Sequence, residues 1–422
     1  MTDRNAIPSA FSASRSRFDA VDLAQDLLDG YEVRTGVAEG SDPADTNLRY
    51  LWTDALAVSA EVRLAERRPE LDRDRSIDRI IECVHATLGR HRGEDGRQGP
   101  LSGDDARPTA GGLRIGKTRP ERRVDEPFDE TLEWERDGQY FHYLTKWIHA
   151  LLDVSERRGD EVALRWARDL AETACEAFIE RGDGSRPVAR GAMSLSISST
   201  IVPTISWKRS IDLRRVLVPG GGTLDPLDGL ATVTRVATAC ARRGLDVGSL
   251  GSHIDELASI CTSASGWATA DPLGIGGVIG SGLRILDALA EPAAMEDRAL
   301  MADLVDFALL DARAGLEVYE RSRRGVIGHR PGLGFRELGL SEGLHRARRH
   351  RNRFESTASS IRDAPRRESI SRSLEELSRF ESLGIWIERH WIEASRRGLS
   401  EWQDRLDINE ISLASSLLQR AR

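Results

Sequence analysis

The residues of this chain best suited to chemistry are carboxylates set among aromatic rings. The stretch ETLEWERDGQYFHYLTKW, residues 130–147, places Glu133, Glu135 and Asp137 around Trp134 and just before Tyr140, His142 and Lys146. An aromatic neighbour desolvates a carboxylate and raises its pKa, which suits it to general-acid work. A second stretch, SWKRSIDLRRVLVPGGGTLDPLDG, residues 206–229, carries Trp207, Lys208, Asp212, Asp225 and Asp228. A third, GHRPGLGFRELGLSEGLH, residues 328–345, brings His329, Arg336 and Glu337 into an apolar, glycine-rich context.

Two carboxylates flanking a bond, one protonated and one ionised, are what hydrolysis of a glycosidic bond requires. A gap of about 5 Å gives retention and one of about 6.5–9.5 Å inversion. The catalytic candidates are Asp137 or Glu135 from one side and Asp225, Asp228 or Glu337 from another. Trp134, Tyr140 and Trp207 would hold sugar faces. Arg114, Lys117, Lys146, Lys208, Asp212, His329 and Arg336 would hold hydroxyls or acidic groups. His142 and His329 offer a different chemistry, proton transfer between neutral bases, as in a sugar epimerase or isomerase. A ligand-binding toroid without catalysis is the third reading.

Each candidate also has a structural explanation. Asp137, Asp225 and Asp271 precede glycine or proline at helix starts, where an aspartate caps free N–H groups. Asp225 and Asp228 have capping-box spacing. GGLRIGKT, residues 111–118, matches the phosphate-loop pattern, which needs a strand before it and a helix after it. The flanks GDDARPTA and RPERRVDEP supply neither, so the segment is expected to be a glycine-rich turn presenting Arg114 and Lys117. Lysine occurs only at 117, 146 and 208 in an arginine-rich chain, which singles those three out. HExxH, GxSxG, dinucleotide and EF-hand patterns do not occur, so no cofactor and no metal is expected.

These residues must be positioned by helices. Periodicity near 3.6 predicts helices near 17–30, 46–66, 74–91, 138–156, 160–181, 226–243, 251–263, 272–291, 297–322, 333–350, 367–396 and 405–420. Short β-branched alternation is confined to residues 194–218. Segments such as 160–181 are amphipathic, whereas 227–241 and 273–290 are apolar nearly all round and must be buried on all sides. The order is outer, inner, outer, inner, six times over. It predicts an all-α (α/α)6 toroid, with residues 1–422 as one domain and residues 1–14 loosely attached. The long connectors 92–136 and 182–224 both fall between an outer and an inner helix, so both belong on one face. On the helix starting near 138, His142, Lys146, His149 and Asp153 form one narrow polar stripe, expected to point inward or across a seam.

Composition agrees with a globular protein: 422 residues, 40% hydrophobic and 30% charged. A net charge of −8 argues against a general nucleic-acid binder. Cys83, Cys175, Cys240 and Cys261 are far apart in apolar helical patterns, the mark of buried thiols in a reducing cytoplasm. MTDRNAIPSAFSASRSRF lacks the apolar run of a secretory signal, and the most apolar window, 273–290, contains Arg284 and Asp287, so no membrane partner is expected.

The segments GLRIGK, EWERDGQYFHYLTKWIHAL, WKRSIDLRRVLVP, DPLDGL, DPLGIGG and FRELGLSEGLH, across roughly residues 110–345, resemble a bacterial branch of the six-hairpin glycosidase-like superfamily. That superfamily comprises glycoside hydrolases, polysaccharide lyases and sugar epimerases on an (α/α)6 toroid. The resemblance implies the fold and a carbohydrate or other polyhydroxylated ligand.

Overall fold

The computed structural model describes residues 19–38, 49–94, 96–181, 203–291, 297–325 and 332–421. Residues 1–14, His329 and the stretch 182–202 of the second connector, each given a role above, lie outside them. In chain order the first elements are α1 (Ala20–Arg34), α2 (Leu51–Arg67), α3 (Asp74–Leu88), α4 (Glu130–Glu135), β1 (Gln139–Tyr140), α5 (Phe141–Arg158), α6 (Glu161–Phe178) and β2 (Ile179–Glu180). Next come β3 (Thr204–Ile205), β4 (Lys208–Arg209), β5 (Val216–Val218), α7 (Asp225–Arg242), α8 (Leu250–Ser263), α9 (Pro272–Leu289) and α10 (Arg298–Gly325). The chain ends with α11 (Gly334–Ala358), α12 (Ala364–Ser378), α13 (Glu381–Arg396), α14 (Ser400–Gln403) and α15 (Leu406–Arg420).

Six of these helices close on one another. α2 packs on α5, α5 on α7, α7 on α9, α9 on α11, α11 on α15, and α15 returns to α2. The remaining long helices surround them: α1 against α15 and α2, α3 against α2, α6 against α5 and α7, α8 against α7, α10 against α9, and α12 and α13 against α11. This is an all-α (α/α)6 toroid. The sixth outer member, expected as one helix over 367–396, is two. α12 ends in tight turns, with Arg379 N–H donating to Glu376 O and Phe380 N–H to Leu377 O, and Phe380 then packs on the core.

The inner helices follow from composition. α7 is buried from Leu227 to Cys240 except Arg235, and its small side chains let it be enclosed on all sides. α9 and α11 come closest. A Cβ on Gly276 would lie 2.3 Å from the Gly339 carbonyl oxygen, and one on Gly343 would lie 2.9 Å from the Gly276 Cα. Glycine is required there because no side chain fits between the two backbones. α9 is the one described helix long and apolar enough to cross a membrane, and it is an inner member of the ring. All four cysteines are free and buried.

The two long connectors meet on the same rim. β1, just before α5, pairs antiparallel with β4, which pairs with β5 ahead of α7. Local capping is simpler than the sequence suggested. Asp271 does cap α9, accepting from Gly274 N–H at 2.9 Å. Asp225 instead occupies the first helical position of α7, and Asp137 lies four residues before α5 begins at Phe141.

The α9–α11 contact yields a paired test. Gly276→Ala forces the two backbones apart and should lower unfolding stability by about 1–3 kcal/mol in denaturant titrations. Gly277→Ala, whose Cβ would meet nothing nearer than 3.8 Å, should be neutral or mildly stabilising.

Candidate active site

The crown of connectors is held by buried charge pairs, and these absorb several of the candidates. Asp137 is fully buried. It accepts from Arg114 Nη1 at 2.6 Å, Arg92 Nη1 at 3.1 Å and the Gly116 N–H at 3.0 Å. Arg114 also donates to the Thr87 and Arg90 carbonyls. It is therefore a buried strut, not a side chain presented at the mouth. Lys208, also fully buried, donates to the Glu133 and Arg136 carbonyls at 2.6 and 2.9 Å and pairs with Glu133 Oε1 at 3.0 Å. Asp212 pairs with Arg97 at 2.7 Å and accepts from Ser210. The segment 112–117 is neither helix nor strand, with Gly112 and Gly116 at positive φ and Ile115 N–H bonded to Gly138 O, so the glycine-rich turn ties connectors together.

Two further carboxylates point elsewhere. Glu337 is buried against the outer helices, accepting from Tyr319 Oη at 2.9 Å and Trp391 Nε1 at 2.8 Å. Glu135 is exposed and pairs with Arg119 at 3.6 Å. Arg336 is half-exposed and pairs with Asp271 at 2.6 Å.

An aromatic cluster lies between crown and ring. Trp134 meets Trp207 edge to face at 4.7 Å, and Tyr140 stacks on His142 at 5.5 Å. Trp52, at the top of α2, packs edge-on against His142 and Phe335. Lys117 Nζ sits 5.1 Å over the Tyr50 ring, and Lys208 Nζ 5.5 Å from the Tyr140 ring centre. Burial, assisted by Lys146, pushes the His142 pKa down to about 3, so the ring is neutral near pH 7.

Below this cluster, Asp225 and Asp228 occupy the first turn of α7 in opposite environments. Asp225 is 6% exposed, and one backbone N–H, that of Gly222, reaches it at 2.7 Å. Burial raises its pKa to about 7, with Asp228 adding to the lift. Burial also acts to raise the Asp228 pKa, but Lys146, Arg284 and Thr145 outweigh it and hold the carboxylate below its ordinary value. Both Asp228 oxygens accept from Lys146 Nζ at 2.9 Å, and Thr145 Oγ1 donates at 2.5 Å.

Lys146 opens onto a cavity of about 730 Å³ along the axis of the ring. It is lined from Trp52 and Phe335 near the inner-helix starts to Gln419 near the end of α15. The expected polar stripe of α5 is found there: Lys146, His149 and Asp153 line the wall, and His142 stands above them. His149 bonds to Thr232 Oγ1 at 3.0 Å and Arg235 Nη1 at 3.3 Å. Sequence reasoning missed the rest of the wall, above all Arg63, Arg235, Arg284 and Arg346. A usable signal existed at one of them. Arg284 is the one basic residue of the largely apolar, glycine-rich α9.

No family model and no curated protein matches this sequence. Among solved structures it is similar to a GH76 alpha-mannanase from Bacteroides thetaiotaomicron. The TM-score is 0.46, with 9% identity over 85% of this chain and 95% of that one.

Two predictions separate struts from site. Asp137→Ala strands Arg114 and Arg92, and should cost about 3–5 kcal/mol of stability in chemical denaturation. For Asp225, the folded chain binds the proton more tightly than the unfolded one. Its penalty is absent below pH ~4, grows as pH rises towards 7 and is complete above that, at ~4 kcal/mol for the lift from 3.8 to about 7. Asp225→Asn should therefore remove a loss of stability between pH ~4 and 7 and raise Tm at pH 8.

Proposed function

We propose that this chain is a carbohydrate-active enzyme, a glycoside hydrolase in which Asp225 is the general acid and Asp228 the ionised partner. One observation carries the reading: two carboxylates one helical turn apart, with pKa values pushed in opposite directions, the second joined through Lys146 to the axial cavity that Lys146 lines. Divergent environments are how a fold assigns acid and base roles to chemically identical groups. A carboxyl that titrates near 7 is protonated often enough at neutral pH to donate to a leaving oxygen. A carboxylate fixed by Lys146 and Thr145 stays charged and stabilises positive charge developing on the sugar ring.

The surroundings support a sugar. The cavity volume is that of a small-molecule site. Trp52 and Phe335 line its upper wall and offer apolar faces, with Trp207 and Trp134 above them. Asp137, Glu337, Arg114, Lys208 and Asp212 are left out of this machinery, because hydrogen bonds within the fold already engage them. The histidine-based epimerase reading is weaker. A ring held near pKa 3 is a poor base, and His329 lies outside the described residues. Free, buried thiols support a reducing, cytoplasmic setting for the enzyme.

The test begins with thermal-shift screening against neutral, amino and uronic sugars, followed by reducing-end assays with oligosaccharides of whichever class binds. Asp225→Asn should keep the thermal shift and lose about 10²–10⁴-fold in turnover. Unchanged turnover in that variant, or no sugar that shifts the wild type, would contradict the assignment.

A further inference from the structure

The lower wall of the axial cavity carries a belt of charge. Arg63, Asp153, Arg284 and Arg346 each lie twelve residues after the first residue of their helix: 51 to 63, 141 to 153, 272 to 284, 334 to 346. All the inner helices rise from the connector rim, so these residues share one level, roughly 18 Å below it. Arg235 of α7 reaches the same level. Its guanidinium pairs with Asp153 at 2.6 Å. Arg63 and Arg346 share Glu342, at 3.2 and 2.8 Å.

Arg284 is left over. Among the described residues no hydrogen bond or ion pair within 4 Å reaches its guanidinium, although it stands in the wall of the axial cavity. It belongs to the belt electrostatically. Burial lowers its pKa to about 9, and Arg346 is the neighbouring charge that contributes most, so it is still a cation at neutral pH. A second feature gives it room. Side chains on a helix lean towards its N-terminus, and four residues back stands Gly280, where a Cβ would come within 3.3 Å of Arg284 Nη1. Gly277 and Gly280 thus leave space on the mouth side of the guanidinium. The cavity as a whole is lined by nine Arg or Lys and six Asp or Glu side chains, an excess of three positive charges inside a chain of net charge −8.

From this geometry we infer that the axial cavity binds a small oxyanion-bearing molecule, with Arg284 as the principal anchor and Arg346 beside it. A guanidinium presents a planar fork of donors that fits phosphate, sulfate or carboxylate oxygens two at a time. A half-buried guanidinium with Asp228 and Asp153 as its more distant counter-charges, and no carboxylate in contact, has donors that a ligand oxyanion can take up. The inference stands on the cavity wall and is read by binding alone, so it can fail while the hydrolytic reading survives, and the reverse.

The probes are inorganic phosphate, inorganic sulfate and glucose 6-phosphate, with glucose as the neutral arm, added to the full chain in low-salt buffer. Calorimetry and thermal shift give affinity and stabilisation. At least one anion should bind and raise Tm, with an effect that falls as salt is added. Tighter binding of glucose 6-phosphate than of phosphate identifies an ester as the preferred form, and equal binding identifies the free anion. Arg284→Met should weaken binding at least tenfold while its own Tm, without ligand, is equal to or above that of the wild type. Arg284→Lys, which keeps charge but loses the fork, should fall between. The exposed Arg165→Ala should bind as wild type. No response to any of the three anions, full affinity in Arg284→Met, or a fall in the stability of the ligand-free variant would each overturn the inference.

Discussion

Charge pairing across the axis of the ring is the interaction on which the rest of this molecule depends. Six enclosed helices leave a shaft between them, and polar groups in that shaft have little bulk water to solvate them. They must satisfy one another. Arg235 joins α7 to α5 through Asp153, and Glu342 joins α11 to α2 through Arg63. Lys146 and Asp228 tie α5 to α7 one level higher. These pairs hold the inner helices at fixed azimuths and keep the shaft from collapsing, while the glycines of α9 and α11 seal the ring on the other side.

The crown obeys the same rule with a different result. Asp137, Arg114, Arg92, Glu133 and Lys208 are as buried and as polar as the shaft residues, but carbonyls and counter-charges surround them completely. That is the signature of a strut. Asp225, with one backbone donor, and Arg284, which no partner among the described residues reaches within 4 Å, are incompletely satisfied. The three lysines illustrate the contrast. Lys208 is locked in the crown, Lys117 rests on an aromatic face, and Lys146 bridges a carboxylate to the open shaft.

Much of the fold was legible in the sequence because alternation of amphipathic and all-apolar helices is a local pattern, and the inward stripe of α5 follows from the same 3.6 period. The site was less legible, for physical reasons. Asp137 before Gly138 looks like a helix cap. The arginines that engage it lie 23 and 45 residues away, on segments whose path no periodicity reveals. Glu337 sits among the glycines of α11 as a mouth residue would, but the rotation of the helix turns it towards Tyr319 and Trp391. The belt was hidden because its arginines, Arg284 of the apolar α9 apart, look in sequence like ordinary surface residues. Only the common register of the helix starts brings them to one level.

The most direct measurement is an anomalous difference map from crystals equilibrated with millimolar selenate. A shaft with an excess of positive charge and an unengaged guanidinium predicts a selenium peak within hydrogen-bonding distance of Arg284, close to Arg346. A map without that peak, in which Arg284 instead forms an ion pair with a carboxylate of the chain, would contradict it.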